Sequence, residues 1–270
     1  MDGQKCNALL QSELKSVVRP KQRTELSAPP SLIPPGCAAI TPAMLPLIDL
    51  EPEHIEQVVQ AVPSGAHNVQ DIYPLTPLQE GLLFHHIMAG ESDAYVTLAL
   101  LEMRSRAHLD VFINALQQVI DRHDILRSAF LWRDLPRPVQ VVQRQAVLPV
   151  EELELDSLRD PIEQLQEWMR PELQSLKLHQ APLVRLQIAP NREGSQWYAL
   201  LKIHHLVCDG QSIGVVIAEV MEHIAGRSQE LPAAMQYRTH VAQALAYTRT
   251  RDAEAFFRKK LGQITEPTAP

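Results

Sequence analysis

Two histidines stand side by side at 204 and 205, and an aspartate and a glycine follow at 209 and 210, in the run HHLVCDG. Histidine can take up or position a proton near neutral pH. An aspartate can orient a neighbour or pair with an arginine, and a glycine lets a substrate approach the backbone closely. Successive side chains at a strand end point to opposite faces, so His204 and His205 cannot both face one site. One should face a reaction channel and the other should pack. The same geometry makes adjacent metal ligands awkward, and no third ligand lies at a recognisable spacing, so no metal is expected.

The run sits at a junction that should hold it firmly. Residues 197–203 read as a strand and residues 212–224 as a helix. Upstream, Thr76-Pro77-Leu78-Gln79 combines a capping residue, a proline at the first helical position and a glutamine at the third, which predicts a helix over 77–88. Residues 95–103 form a β-rich run. Residues 111–123 place Phe112, Leu116, Val119 and Ile120 on one helical face. Strands are expected at 126–132, 139–142 and 183–188. A helix split at Pro171 is expected over 161–178, and a further helix over 237–261. The pattern predicts an α/β chain of the α+β type, a mixed sheet with helices packed on it.

Residues 1–68 differ. Pro29-Pro30 and Pro34-Pro35 remove backbone donors and disfavour helix before them. The segment reads as a Pro-rich inter-domain linker, interrupted by a short amphipathic helix over 51–62. The 270 residues are 45% apolar and 21% charged, enough for a substantial core. A net charge of -7 disfavours nucleic acid as a partner. The basic cluster from Arg19 to Arg23 lies in the linker. Cys6, Cys37 and Cys208 are odd in number and lack metal-ligand spacing, which suits a reducing compartment. No apolar run reaches the roughly 20 residues that span a bilayer, and no signal-peptide pattern opens the chain. A cytoplasmic protein is expected.

HHLVCDG resembles the HHxxxDG signature of condensation domains from nonribosomal peptide synthetases. Ile72 to His85 (IYPLTPLQEGLLFH) is similar to that family's opening motif, Arg122 to Phe130 (RHDILRSAF) to its second, and Tyr237 to Phe257 to the segment that closes its N-terminal lobe. The resemblance implies a chloramphenicol-acetyltransferase-like N-terminal lobe over 69–262. Residues 263–270 would begin the interlobe linker, with the C-terminal lobe absent and the chain a truncated fragment.

The resemblance further implies peptide-bond formation between a carrier-bound acyl or peptidyl thioester and a carrier-bound aminoacyl amine. His205 would face the tunnel, and the Gly210 N–H would be an oxyanion donor. His204 would pack, while Asp209 would form a buried ion pair with Arg127. The domain itself would bind no cofactor. Its substrates would ride on the phosphopantetheine arms of peptidyl carrier domains, next to an adenylation domain. His85-His86, followed by Ser92-Asp93, is similar to an extra motif of dual epimerisation/condensation domains. Gln211, Thr239 and His240 depart from the family pattern.

Three rival readings remain. Gly210-Gln211-Ser212-Ile213-Gly214 matches the nucleophile elbow of α/β-hydrolases. That fold needs an acid and then a histidine after the serine, whereas His240 precedes Asp252, so Ser212 is read as a helix N-cap. A non-catalytic carrier-docking lobe is the second rival, and another acyltransferase of the same fold, such as a chloramphenicol acetyltransferase relative, is the third.

Overall fold

The computed structural model describes residues 28–90, 93–191, 193–250 and 253–262. In chain order, its first half contains α1 (Pro52–Gln60), β1 (Val69–Pro74), α2 (Pro77–Ala89), β2 (Val96–Met103), α3 (Arg106–Arg122), β3 (Ser128–Leu131) and β4 (Val139–Gln143). Then come β5 (Val150–Glu152), α4 (Pro161–Trp168), β6 (Val184–Pro190), β7 (Trp197–His204), α5 (Gly210–Ile224), α6 (Tyr237–Thr250) and α7 (Ala253–Leu261). No helix among the described residues is long and apolar enough to cross a membrane.

The strands form two sheets. One has the order β2-β7-β6-β5 and is mixed, because β5 runs parallel to β6 while the other pairs are antiparallel. The other is antiparallel with order β1-β4-β3. The alternation of β7 explains why the larger sheet is covered on both faces. Ala199, Leu201 and Ile203 join a core with Leu116 and Val119 of α3 and Val216 and Val220 of α5. Tyr198 turns the other way, onto Leu153 and Leu165 of α4. Each fully buried leucine of this kind contributes about 2–3 kcal/mol of hydrophobic stabilisation.

Three expectations are corrected. Residues 28–68 are not a free linker: Ile33, Leu45, Ile48, Leu50, Ile55 and Val58 are buried against Val69, Ala129 and Val141. Their prolines interrupt regular structure, but their apolar side chains still pack on the smaller sheet. Next, the helix from Pro161 ends at Trp168, well short of 178. The Gln174 side-chain amide donates to the Trp168 and Arg170 carbonyls at 2.6 and 3.0 Å, satisfying the helix end before the 3-10 turn of Pro171–Leu173 can extend it. Finally, the stretch expected as one helix over 237–261 contains two, α6 and α7. Residues 263–270 lie outside the described residues.

Candidate functional site

The HHLVCDG run links the end of β7 to the start of α5. The last strand residue is His204, and Asp209 caps the helix, its Oδ1 accepting the Ser212 N–H at 2.8 Å and the Ser212 hydroxyl at 2.7 Å. These bonds hold the Asp209 carboxyl below its ordinary range. The cap is therefore Asp209, and Ser212 is the third helical residue rather than the N-cap. Its hydroxyl is engaged by Asp209, not by a histidine.

His205 is half-buried. Its Nδ1 lies 3.1 Å from the Cys208 carbonyl, and its Nε2 lies 3.1 Å from the Thr97 hydroxyl. A carbonyl only accepts, so Nδ1 carries the proton and donates. In the neutral ring Nε2 is then bare and takes its hydrogen bond from Thr97. That nitrogen is the basic atom of the site. Burial pushes the neighbouring Cys208 thiol up to about 12, so Cys208 is neither nucleophile nor ligand near neutral pH.

Thr97 also lies on the wall of an apolar cavity of about 350 Å³ between the larger sheet and helices α3 and α5. Leu101, Phe112, Ile203, Ile213 and Val216 are among its lining residues. An acceptor nitrogen thus stands beside a space shaped for an apolar group. Gly210 begins α5, and an added Cβ there would meet nothing within 4 Å, so its surroundings leave room for a close approach.

His204 faces inward and is fully buried. Its Nδ1 accepts the Leu206 N–H at 3.0 Å, so its Nε2 bears the proton and donates to Asp93 Oδ2 at 2.8 Å. The same oxygen receives His86 Nδ1 at 2.5 Å, while Asp93 Oδ1 receives the Tyr95 N–H at 2.9 Å. Burial pushes the Asp93 carboxyl up, but His204, the Tyr95 N–H and His86 together outweigh it and hold the group well below the usual carboxylate range.

His86, Asp93 and His204 are close enough to suggest an ion site, with ligand atoms within 4.8 Å of one another. The hydrogen bonds argue otherwise. A cation on His204 Nε2 would leave both ring nitrogens without a proton, because Leu206 already occupies Nδ1. A ligating histidine ordinarily donates its other N–H to a supporting group. The cluster is accounted for as a hydrogen-bonded unit.

The two histidine pairs are joined in parallel. His86 reaches His204 through Asp93. His85 is exposed, with its ring centroid 5.8 Å from that of Tyr95, and the Tyr95 ring in turn lies 6.5 Å from His205. Sequence reasoning picked out both pairs without seeing that they meet. Ser92, which precedes Asp93, lies outside the described residues.

The expected ion pair between Asp209 and Arg127 does not form. Asp209 is exposed and turned to Ser212, while Arg127 is buried and donates to Gln70 Oε1 at 2.9 Å and to the Gln143 carbonyl. Arg127 ends a 3-10 turn and anchors the smaller sheet, so its direction is set by β4 rather than by the loop before α5. Among the described residues, Asp71 and Arg238 do form a buried ion pair, at 2.6 Å. Spacing alone offered no signal for it, since 167 residues separate the partners.

The chain is a two-sheet α/β lobe with HHLVCDG at a strand-to-helix junction. The family model for the condensation domain matches residues 69–269, and the chain belongs to that family. Malpibaldin synthetase of Mortierella alpina is 42% identical over 243 residues, covering 90% of this chain and 4% of that protein. Malpinin synthetase of the same organism is 43% identical over 243 residues, covering 90% and 3%. Among solved structures, the first condensation domain of the calcium-dependent antibiotic synthetase, in complex with a substrate analogue, superposes with a TM-score of 0.58 at 22% identity. The match covers 74% of this chain and 50% of that one. A starter condensation domain of rhizomide synthetase, in complex with C8-CoA and Leu-SNAC, gives a TM-score of 0.58 at 21% identity, covering 80% and 49%. The chain therefore spans about half of these solved domains and a few per cent of the synthetases.

Proposed function

We propose that this chain supplies the His205 wall of a site that joins a carrier-bound acyl or peptidyl thioester to the α-amine of a carrier-bound aminoacyl thioester. The observation that carries the reading is the His205 ring, whose Nδ1–H is fixed on the Cys208 carbonyl while Nε2 is left as an acceptor beside the apolar cavity. The acceptor amine attacks the thioester carbonyl, the C–N bond forms, the C–S bond breaks, and the departing thiolate takes a proton. Once the amine displaces the Thr97 hydroxyl from the one lone pair of Nε2, His205 positions the amine and receives the proton that the nitrogen sheds. An α-amine has a pKa of roughly 7.7 to 8.0, so a useful fraction attacks already neutral. Holding two tethered reactants together supplies much of the acceleration.

In this reading both substrates are carried on phosphopantetheine arms of partner carrier domains, loaded by an adenylation domain, and the lobe needs no cofactor of its own. The opposite wall of the site belongs to a second lobe. The apolar cavity takes the apolar part of the donor. The Gly210 N–H, at the open start of α5, is offered to the developing oxyanion.

A second reading adds inversion of the donor residue before it is joined. His86 is turned onto Asp93, whereas His85 is exposed and reaches toward His205 through Tyr95. His85 is then the group that removes the donor α-proton.

Both readings are tested by giving the full-length protein that carries this sequence one donor-loaded and one acceptor-loaded carrier. Mass spectrometry should show the donor acyl group transferred to the acceptor arm. Loss of donor by hydrolysis, with no amide on the acceptor, would contradict the first reading. Chiral analysis of the product decides the second, since a donor of unchanged configuration removes it.

A further inference from the structure

The two histidine pairs differ in sequence position by more than a hundred residues, yet one carboxylate joins them. Asp93 Oδ2 receives both His204 Nε2–H and His86 Nδ1–H, and its Oδ1 takes the Tyr95 N–H. The Asp93 backbone is itself fixed, because its N–H donates to the Gln174 carbonyl at 2.8 Å. Asp93 is almost fully buried, so these bonds have no competition from water.

We infer that Asp93 is the positioning residue of the site. It selects the Nε2–H form of His204. Only that form leaves Nδ1 bare to receive the Leu206 N–H, and this bond starts the turn that carries His205 and Asp209. Were His204 to carry its proton on Nδ1, two N–H groups would face each other at 3.0 Å and the turn would have to open. The effect reaches His205 by three routes. The His205 N–H pairs with the Tyr95 carbonyl at 2.8 Å, two residues beyond Asp93, and its Nδ1 is held by Cys208 within the same turn. The Tyr95 ring packs edge-on against the His205 ring. On the other side, Asp93 turns His86 inward and leaves its neighbour His85 on the open face.

The inference extends the proposed function by naming what aims His205, and its first test is independent of turnover. Nitrogen-15 NMR of the histidine rings in the native protein should show His204 neutral, with a bare Nδ1 and a protonated Nε2. Asp93→Asn should change that pattern. A native His204 with its proton on Nδ1 would overturn the inference whether or not the protein makes amide bonds.

The second test is functional. Asp93→Asn should lower kcat by about 10–100-fold with little change in KM for either carrier, the mark of misaimed groups rather than lost binding. Should Asp93→Asn fold poorly, His204→Gln and His204→Asn serve instead. A glutamine amide can stand where Nε2 donates to Asp93, whereas an asparagine amide stands nearer Nδ1. Turnover should survive better in His204→Gln. Equal turnover in the two, or unchanged kcat in a folded Asp93→Asn, would overturn the positioning role.

Discussion

The Gln79 side-chain amide donates to the Leu206 carbonyl at 3.0 Å across 127 residues of sequence. The same side chain accepts the Thr76 N–H at 3.0 Å and the Gln140 amide at 3.0 Å. One buried glutamine therefore starts α2, ties that start to β4, and fixes the turn that carries His205. Gln79→Ala takes the partner from the buried Leu206 carbonyl and from the buried Thr76 N–H, while the Gln140 amide keeps the Pro74 carbonyl at 3.0 Å. A loss of about 1–3 kcal/mol in urea unfolding is expected. A change below a few tenths would show that the link to Leu206 contributes nothing.

Asp209 and Arg127 act separately. Asp209→Ala removes a helix cap and should cost about 0.5–2 kcal/mol. Arg127→Ala takes the donors from Gln70 and the Gln143 carbonyl in the smaller sheet. With no shared partner, the double variant should equal the sum of the single ones within about 0.5 kcal/mol. A coupling of about 3 kcal/mol, the scale on which removing one partner of a buried pair destabilises, would mean that the two charges do meet.

The buried pair that does form sets a pH dependence. Burial pushes the Asp71 carboxyl up to about 6, although Arg238 pulls it the other way. A folded-state pKa above the ordinary value of 3.8 means that the folded protein holds this proton more tightly than the unfolded chain. Its contribution is fully present below the unfolded value and is lost as pH rises through about 6. Stability from this group should fall by up to about 1.4 kcal/mol per pH unit inside that window. Asp71→Asn should flatten the dependence of stability on pH there; an unchanged slope would place the titration elsewhere.

Cys208 lies inside the signature run, but its thiol is buried and pushed up to about 12. Iodoacetamide at pH 8 should leave Cys208 unmodified in native protein and modify it after unfolding, as read by peptide mapping. Rapid native labelling would show that the loop opens.

Much of this arrangement was legible in the sequence. Thr76-Pro77-Leu78-Gln79 announced the start of α2 because caps are local chemistry. Residues 128–131 were harder. Asp124–Arg127 forms a 3-10 turn first, and Asp124 accepts the Tyr237 N–H at 2.9 Å, a contact no local pattern encodes. The Pro-rich stretch misled for a related reason: Ile33, Leu45 and Ile48 follow no period, yet they pack. His204 and His205 were assigned opposite faces from strand geometry, and the structure places them so. The role of Asp93 was hidden because its partner His204 lies 111 residues away. The Asp209–Arg127 pairing failed because residue type states what a charge can do, not which way a distant sheet turns it.

The most direct test of the account is single-turnover condensation by the full-length protein that carries this sequence, with His205→Ala compared against the native residue. Loaded carriers should be mixed at saturating concentration and the new amide followed by rapid quench and mass spectrometry. Loss of a positioned proton acceptor should slow the chemical step by about 10²–10⁴-fold while carrier binding is preserved. An unchanged single-turnover rate in a folded His205→Ala protein would contradict the assignment of His205 as the group that holds the amine and takes its proton.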